Sequence, residues 1–108
     1  AERTFDVDVG DRGELESHLA ELSAELCRRL RKRELEGRTI GIKVRLDDWT
    51  TVTRAKTVFE PTCDLGVVGG VAVGLLRAYD PPRPVRLLGV RVAGFEAAPA
   101  EPQLSLTL

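Results

Sequence analysis

Between Thr39 and Leu46 every second residue is a large aliphatic: Ile40, Ile42, Val44 and Leu46 alternate with Thr39, Gly41, Lys43 and Arg45. A period of two puts the aliphatics on one side of an extended chain and the polar residues on the other, so the stretch is a half-buried β-strand. Asp47-Asp48 stands where the chain must reverse, and Thr50 to Phe59 runs on, rich in Thr and Val, as the second arm of a hairpin. Such a sheet needs a cover on its apolar face, and its other face is left free to bind. Arg54 and Lys56 are two apart and share a face. Turning Thr53, Ala55, Thr57 and Phe59 inward sets those two cations outward beside Lys43 and Arg45. That choice leaves Val52 and Val58 on the open side, a cost that a bulge would relieve.

The flanking segments supply the cover. Arg3 to Val9 alternates Phe5, Val7 and Val9 with Thr4, Asp6 and Asp8, the pattern of a short strand with its apolar side toward the core. Asp11 suits a helix N-cap, with Glu14 three residues on, and Leu15, Leu19, Leu22, Leu26 and Leu30 then draw one stripe down a helix that Gly37 is expected to stop. Arg28, Arg29, Arg31, Lys32 and Arg33 crowd its last turns, where they favour the negative end of the helix dipole. After a break at Glu60-Pro61, Leu65, Val68, Ala72, Leu75, Leu76 and Tyr79 share one face of a second helix over Asp64 to Tyr79. Its glycines weaken it, at about 1 kcal/mol each relative to alanine. Pro81 to Pro84 is a stiff connector, and Val85 to Phe95 is the last strand, with Arg91 among its outward residues. The order β, α, β, β, α, β predicts an α+β fold, a four-stranded antiparallel sheet with both helices packed on one face, followed by a flexible C-terminal tail. Right-handed crossovers are expected to place the first and third strands at the centre.

At 108 residues the chain has the length of one domain, and its net charge of −1 conceals a segregation. Residues 28–56 hold 10 Lys or Arg against 4 Asp or Glu, a local +6 set against −7 elsewhere. A concentrated positive region suits a polyanionic partner. Several chemistries are excluded. Cys27 and Cys63 lack metal spacing and there is a single histidine, so no metal site is expected and the thiols are expected to stay reduced. The acidic run from Asp6 misses the glycine that a calcium loop needs, having Asp11 there, and the glycines of the second helix match no phosphate-loop pattern. Neither a signal peptide nor a membrane span is present. No residue is a catalytic candidate, and the start at Ala1 without an initiating Met suggests a piece of a longer protein.

Four motifs in order resemble one family. ERTF at Glu2 to Phe5, the long basic-ended helix, TVTRAKT at Thr51 to Thr57 and RPVRLLGVRVAGF at Arg83 to Phe95 are similar to the little-finger domain of the bacterial Y-family translesion polymerases of the DNA polymerase IV type. The resemblance covers nearly the whole chain. It implies the fold reached above, with the open sheet face laid along primer-template DNA and holding phosphates without reading bases. By position it makes Arg54 and Lys56 phosphate contacts and Thr53 and Thr57 hydroxyl or main-chain donors. Arg3 and Thr4 would join from the first strand, and Lys43, Arg45 and Arg91 would complete the face. Magnesium and catalysis belong to a palm domain absent from this chain, and the expected location is cytoplasmic, at the nucleoid. The departures are a glycine-rich second helix and Trp49 where the family often has Phe, the latter read as a packing aromatic at the hairpin end.

The end of the chain carries a second resemblance. Residues 96–102, EAAPAEP, read as a linker after a domain spanning 1–95, and residues 103–108, QLSLTL, resemble the hexapeptide that docks on the β sliding clamp, a homodimeric ring. The resemblance makes Gln103 a register-fixing hydrogen bonder and Leu104, Leu106 and Leu108 the apolar anchors, with Ser105 between them. Thr107 and Leu108 stand where many such peptides have Phe, which implies weaker anchoring. The domain itself is expected to be monomeric. Two other readings stand beside this one. An RNA-recognition module shares the element order but would need paired aromatics that TVTRAKTVF lacks. An oligomerising or ligand-sensing α/β sandwich would not need the cations at all.

Overall fold

The computed structural model describes residues 1–95. Strand β1 (Glu2–Val9), helix α1 (Arg12–Lys32), strands β2 (Gly37–Leu46) and β3 (Thr51–Thr62), helix α2 (Leu65–Tyr79) and strand β4 (Val85–Phe95) follow one another as the periodicities predict. The four strands form one sheet whose paired neighbours are all antiparallel. The linker and terminal hexapeptide, 96–108, lie outside the described residues.

Local chemistry explains the boundaries. Asp11 caps α1, its Oδ2 accepting from Glu14 N–H at 2.8 Å, and Asp64 caps α2 by accepting from Val67 N–H at 3.1 Å. Gly37 does not stop α1; it is the first residue of β2. The helix ends at Lys32, and just beyond it Glu34 turns into the left-handed region at φ 56°. There Leu35 N–H donates to Leu30 O at 2.9 Å and Glu34 N–H to Arg31 O at 3.1 Å, the paired bonds of a Schellman cap. Strand β3 runs through Pro61, a residue that an outer strand of a sheet tolerates.

The strand order is β1-β4-β2-β3, so β2 and β4 are central and the expected placement of the first and third strands there is overturned. The composition of the strands gives the reason. β4 buries Val85, Leu87, Leu88, Val90 and Val92 and β2 buries Ile40, Ile42, Val44 and Leu46, whereas β1 carries Asp6 and Asp8 and β3 carries Arg54 and Lys56 in the open. Charged strands suit edges. Register shifts between Thr4 and Val9 also break the alternation of β1, leaving Val7 78% exposed instead of in the core.

Both helices lie on one face. α1 packs over β4 and β1, α2 over β2 and β3, and the helices touch each other. Leu15, Leu19, Leu22 and Leu30 are buried as the stripe predicts, with Cys27 fully covered and Leu26 only partly so. Each fully buried leucine contributes about 1.5–3 kcal/mol of transfer free energy. From α2 come Val68, Ala72 and Leu76, while Leu65 is 41% exposed, off the predicted face. The α2 glycines divide in role. A Cβ on Gly69 would stand 3.8 Å from Ser23 Cβ of α1, so Gly69 serves close packing; Gly70 and Gly74 face open space.

Candidate nucleic-acid interface

Directly paired residues share a face, so the registers define the uncovered side of the sheet. Four rows cross it: Thr57, Thr39 and Ala93; Ala55, Gly41 and Arg91; Thr53, Lys43, Gly89 and Glu2; and Thr51, Arg45, Leu87 and Thr4. Lys43, Arg45 and Arg91 are its cations and Glu2 its acid. The rows also show why glycines stand among them. Gly89 has no side chain to block the gap, and Lys43 Nζ reaches across it to Glu2 Oε2 at 3.2 Å. Arg91 lies across Gly41, where an added Cβ would come within 3.5 Å of its Nε. The result is a shallow groove lined by Glu2, Lys43, Thr53, Gly89 and Arg91.

Hydroxyls border the cations. Thr39 Oγ1 and Thr57 Oγ1 are 3.2 Å apart across the β2–β3 pair, and Arg45 Nε donates to Thr51 Oγ1 at 2.9 Å. Arg91 is exposed and has no ion-pair partner among the described residues. The face therefore offers a guanidinium free to meet a new anion, a second guanidinium bonded to a hydroxyl and standing over the Trp49 ring, and an ammonium shared with one carboxylate. Thr39 joins Thr53, Thr57 and Thr4 on this face as the alternation of β2 predicts, and the pairing register adds Thr51.

Arg54 and Lys56 are not on it. The register pairs Arg54 with Ile42 and Lys56 with Ile40, which turns both toward the helix side, with Thr53, Ala55 and Thr57 outward. The valines decide this. Val52 and Val58 become half-buried, Val58 against the core, and no bulge is needed between Val52 and Thr57. The chain bends afterwards, between Thr57 and Thr62, which leaves Phe59 88% exposed instead of turned inward. The cations keep their heads in solvent at the rim. Arg54 Cζ stands 5.1 Å from the Tyr79 ring centroid, and Lys56 lines an open groove together with Gly70, Gly74 and Ala78 of α2. Arg3 likewise turns to the helix side, donating to Glu21 Oε1 at 2.6 Å and contacting His18 Nδ1 at 2.9 Å. His18 packs against Phe5 with the rings tilted by 50° and their centroids 4.7 Å apart.

Electrostatics at the hairpin end are set by the connector that leads into β4. Arg83 Nε donates to Asp47 Oδ1 at 2.6 Å, and Asp48 accepts from Thr50 N–H at 3.0 Å, the contact that chiefly holds its carboxyl below the usual range. Both carboxylates are thus engaged in the turn. Among the described residues no three His, Cys, Asp or Glu come together to hold a metal ion, and no helix is long and apolar enough to cross a membrane. Cys27 and Cys63 are both free thiols, and burial pushes the Cys27 thiol up. Trp49, expected to pack at the hairpin end, is instead 61% exposed.

Comparison with known proteins adds independent information. Residues 1–106 match the impB/mucB/samB family C-terminal domain. A DNA polymerase IV of Streptomyces coelicolor is 45% identical over 94 residues, 87% of this chain and 20% of that protein. Another, of Halorhodospira halophila, is 35% identical over 105 residues, 96% of this chain and 30% of that protein. The chain thus spans between a fifth and a third of the length of these relatives. A solved complex of a beta-clamp processivity factor and the little finger domain of PolIV matches with a TM-score of 0.73 at 29% identity, covering 100% of this chain and 96% of that one. The insertion ternary complex of Dbh DNA polymerase matches at 0.70 and 19% identity over 88% of this chain and 27% of that one, a likeness of fold.

Proposed function

The chain belongs to the impB/mucB/samB family C-terminal domains, and from that premise we propose that it is the non-catalytic DNA-gripping and clamp-tethering domain of a translesion DNA polymerase. The observation that carries the reading is the uncovered sheet face, where Lys43, Arg45 and Arg91 stand among five threonines while the opposite face is covered by helices. Such a face meets phosphates through charge and hydroxyls, contacts that position the domain on a duplex and carry no sequence information. Sequence-blind grip suits a polymerase that must hold distorted templates. Arg54 and Lys56 act from the rim of β3 as secondary phosphate contacts. Arg3, engaged by Glu21, takes no part.

Polymerase chemistry and the magnesium that serves it belong to segments of the parent that this chain does not span; Asp47 and Asp48, taken up in the hairpin turn, hold no ion. The parent is a DNA-directed DNA polymerase working at the nucleoid, in the cytoplasm. The terminal QLSLTL supplies the tether. Gln103 fixes register, Leu104, Leu106 and Leu108 fill an apolar pocket on the β sliding clamp, and Ser105 spaces them. Linkage makes weak docking effective, because it raises the local concentration of the domain at the primer terminus. The solved clamp complex of a little finger domain supports the choice of partner.

Calorimetric titration of the clamp with the chain, with and without residues 103–108, tests the tether. Binding that weakens at least about tenfold on deletion, a loss of roughly 1.4 kcal/mol, is expected. Undiminished binding refutes the assignment of the peptide. Duplex DNA titrated at low salt tests the grip, and affinity that ignores base sequence but falls steeply with added salt is the expected result.

A further inference from the structure

The turn joining β2 to β3 holds a residue that neither the turn nor the core requires. Leu46 N–H donates to Thr50 O at 2.8 Å and Trp49 N–H to Leu46 O at 3.0 Å, closing a tight reversal with Trp49 at φ 72°. Glycine or asparagine adopts that left-handed backbone at least cost, and a bulky aromatic is strained there. The indole is also 61% exposed, so burial does not compensate for the strain. A strained, solvent-facing aromatic is a reason to look for a ligand.

The ring is nevertheless held. Arg86 Cζ stands 4.3 Å from its centroid and Arg45 Cζ stands 5.7 Å away. Arg45 belongs to the open face. Arg86 is displaced from the regular ladder by the register shift that follows Arg45 and Leu87, and Asp8 Oδ1 of β1 lies 3.8 Å from its guanidinium. Three strands thus order the indole while leaving most of it in solvent. The nearest other acids are occupied, Asp47 and Asp48 lying 2.6 and 3.8 Å from Arg83 Nε. The guanidiniums stand over the ring yet leave most of the indole exposed, and an exposed π surface beside guanidiniums matches a nucleobase joined to its phosphates, since bases stack on aromatics and Arg neutralises the backbone. Bases inside a duplex are already stacked, so the ligand must be unpaired.

We propose that Trp49, flanked by Arg45 and Arg86, is a stacking platform for an unpaired base of single-stranded DNA next to the duplex held on the open face. The proposal rests on the duplex-gripping reading of that face, and the two can fail separately.

Trp49 is the only tryptophan of the chain, so its fluorescence reports directly on the contact. The 108-residue chain is titrated with a blunt duplex, the same duplex bearing a single-stranded extension of either polarity, and that extension built from abasic residues. A base-bearing extension is expected to quench the emission and to tighten binding at least about fivefold over its abasic counterpart, the lower end for one stacked base. Blunt duplex binds without quenching. Trp49→Gly, which suits the backbone at this position, removes the gain and leaves blunt-duplex affinity in place, whereas Trp49→Phe keeps part of it. Equal affinity for base-bearing and abasic extensions, or an extension that binds tightly without quenching, overturns the proposal. Quenching by an extension when blunt duplex does not bind upholds it and refutes the duplex reading; no binding of any DNA refutes both.

Discussion

Replacing Lys43, Arg45 and Arg91 together by Gln removes the positive charge of the open face while keeping polar, unbranched side chains. The size of the effect follows from counterion release. Each phosphate neutralised contributes about −0.9 to the slope of log K against log salt, so three contacts amount to about −2.7. Between 50 and 200 mM salt that is roughly a 40-fold loss of affinity in the parent chain which the triple variant does not show. Lys43 already faces Glu2 at 3.2 Å. If that carboxylate cancels its share, two contacts remain, worth about −1.8 in slope and roughly 12-fold over the same range. Fluorescence anisotropy of labelled duplex at four or five salt concentrations measures the slope directly. The triple variant should lower it by between those two values, and Arg54→Gln with Lys56→Gln should lower it by less, because those cations stand at the rim. An unchanged slope in the triple variant, or a larger fall in the rim pair, would refute the assignment of the binding face.

The fold makes four further predictions. Leu88→Ala, at a wholly buried position of β4, should cost about 2–5 kcal/mol in urea denaturation. Gly70→Ala and Gly74→Ala meet nothing within 4 Å and should each stabilise by about 0.5–1 kcal/mol, raising the melting temperature by several degrees. Gly37→Ala should do the opposite, since its Cβ would lie 2.5 Å from Ala93 O between two paired strands, and a melting temperature at or above that of the parent would contradict the register there. Arg77 binds Glu16 through two hydrogen bonds, and Arg3 binds Glu21, each holding its partner's carboxyl below the ordinary range. A depressed folded pKa gives stability that is present above the ordinary glutamate range and lost as pH falls through the folded value. Arg77→Ala and Arg3→Ala should therefore flatten the acid limb of melting temperature against pH.

The parts of this fold that could be read from sequence are those fixed by local chemistry. The leucine spacing of α1, the cap at Asp11, and the alternation in β2 and β4 each depend on residues within a few positions of one another. What was not legible depends on partners remote in sequence. The strand order turns on which strands have enough apolar surface to be enclosed on both sides, and the acids of β1 decide that jointly with the aliphatics of β4. The end of α1 was misplaced because Glu34 adopts a backbone conformation that glycine usually supplies, so Gly37 drew attention for the wrong reason. Val7 was assigned to the core because a register shift leaves no mark in an alternating pattern.

The face of β3 is the instructive case, because its charges pointed one way and its valines the other. An outer strand exposes unpaired N–H and C=O groups, and lysine or arginine along it discourages pairing with another chain whether or not a ligand is bound. Arg54 and Lys56 thus have a reason to be where they are that requires no DNA. Val52 and Val58 have no comparable reason to face water, so in an ambiguous strand the apolar pair is the better guide to orientation. With the valines inward, the cations that remain on the uncovered face are those of the central strands, Lys43, Arg45 and Arg91. Those strands gain no protection from charge, since β1 and β3 already flank them. Cations on a central strand's open face are therefore stronger indicators of a polyanion than cations at an edge, and the salt slopes of the triple and rim variants test that difference within one molecule.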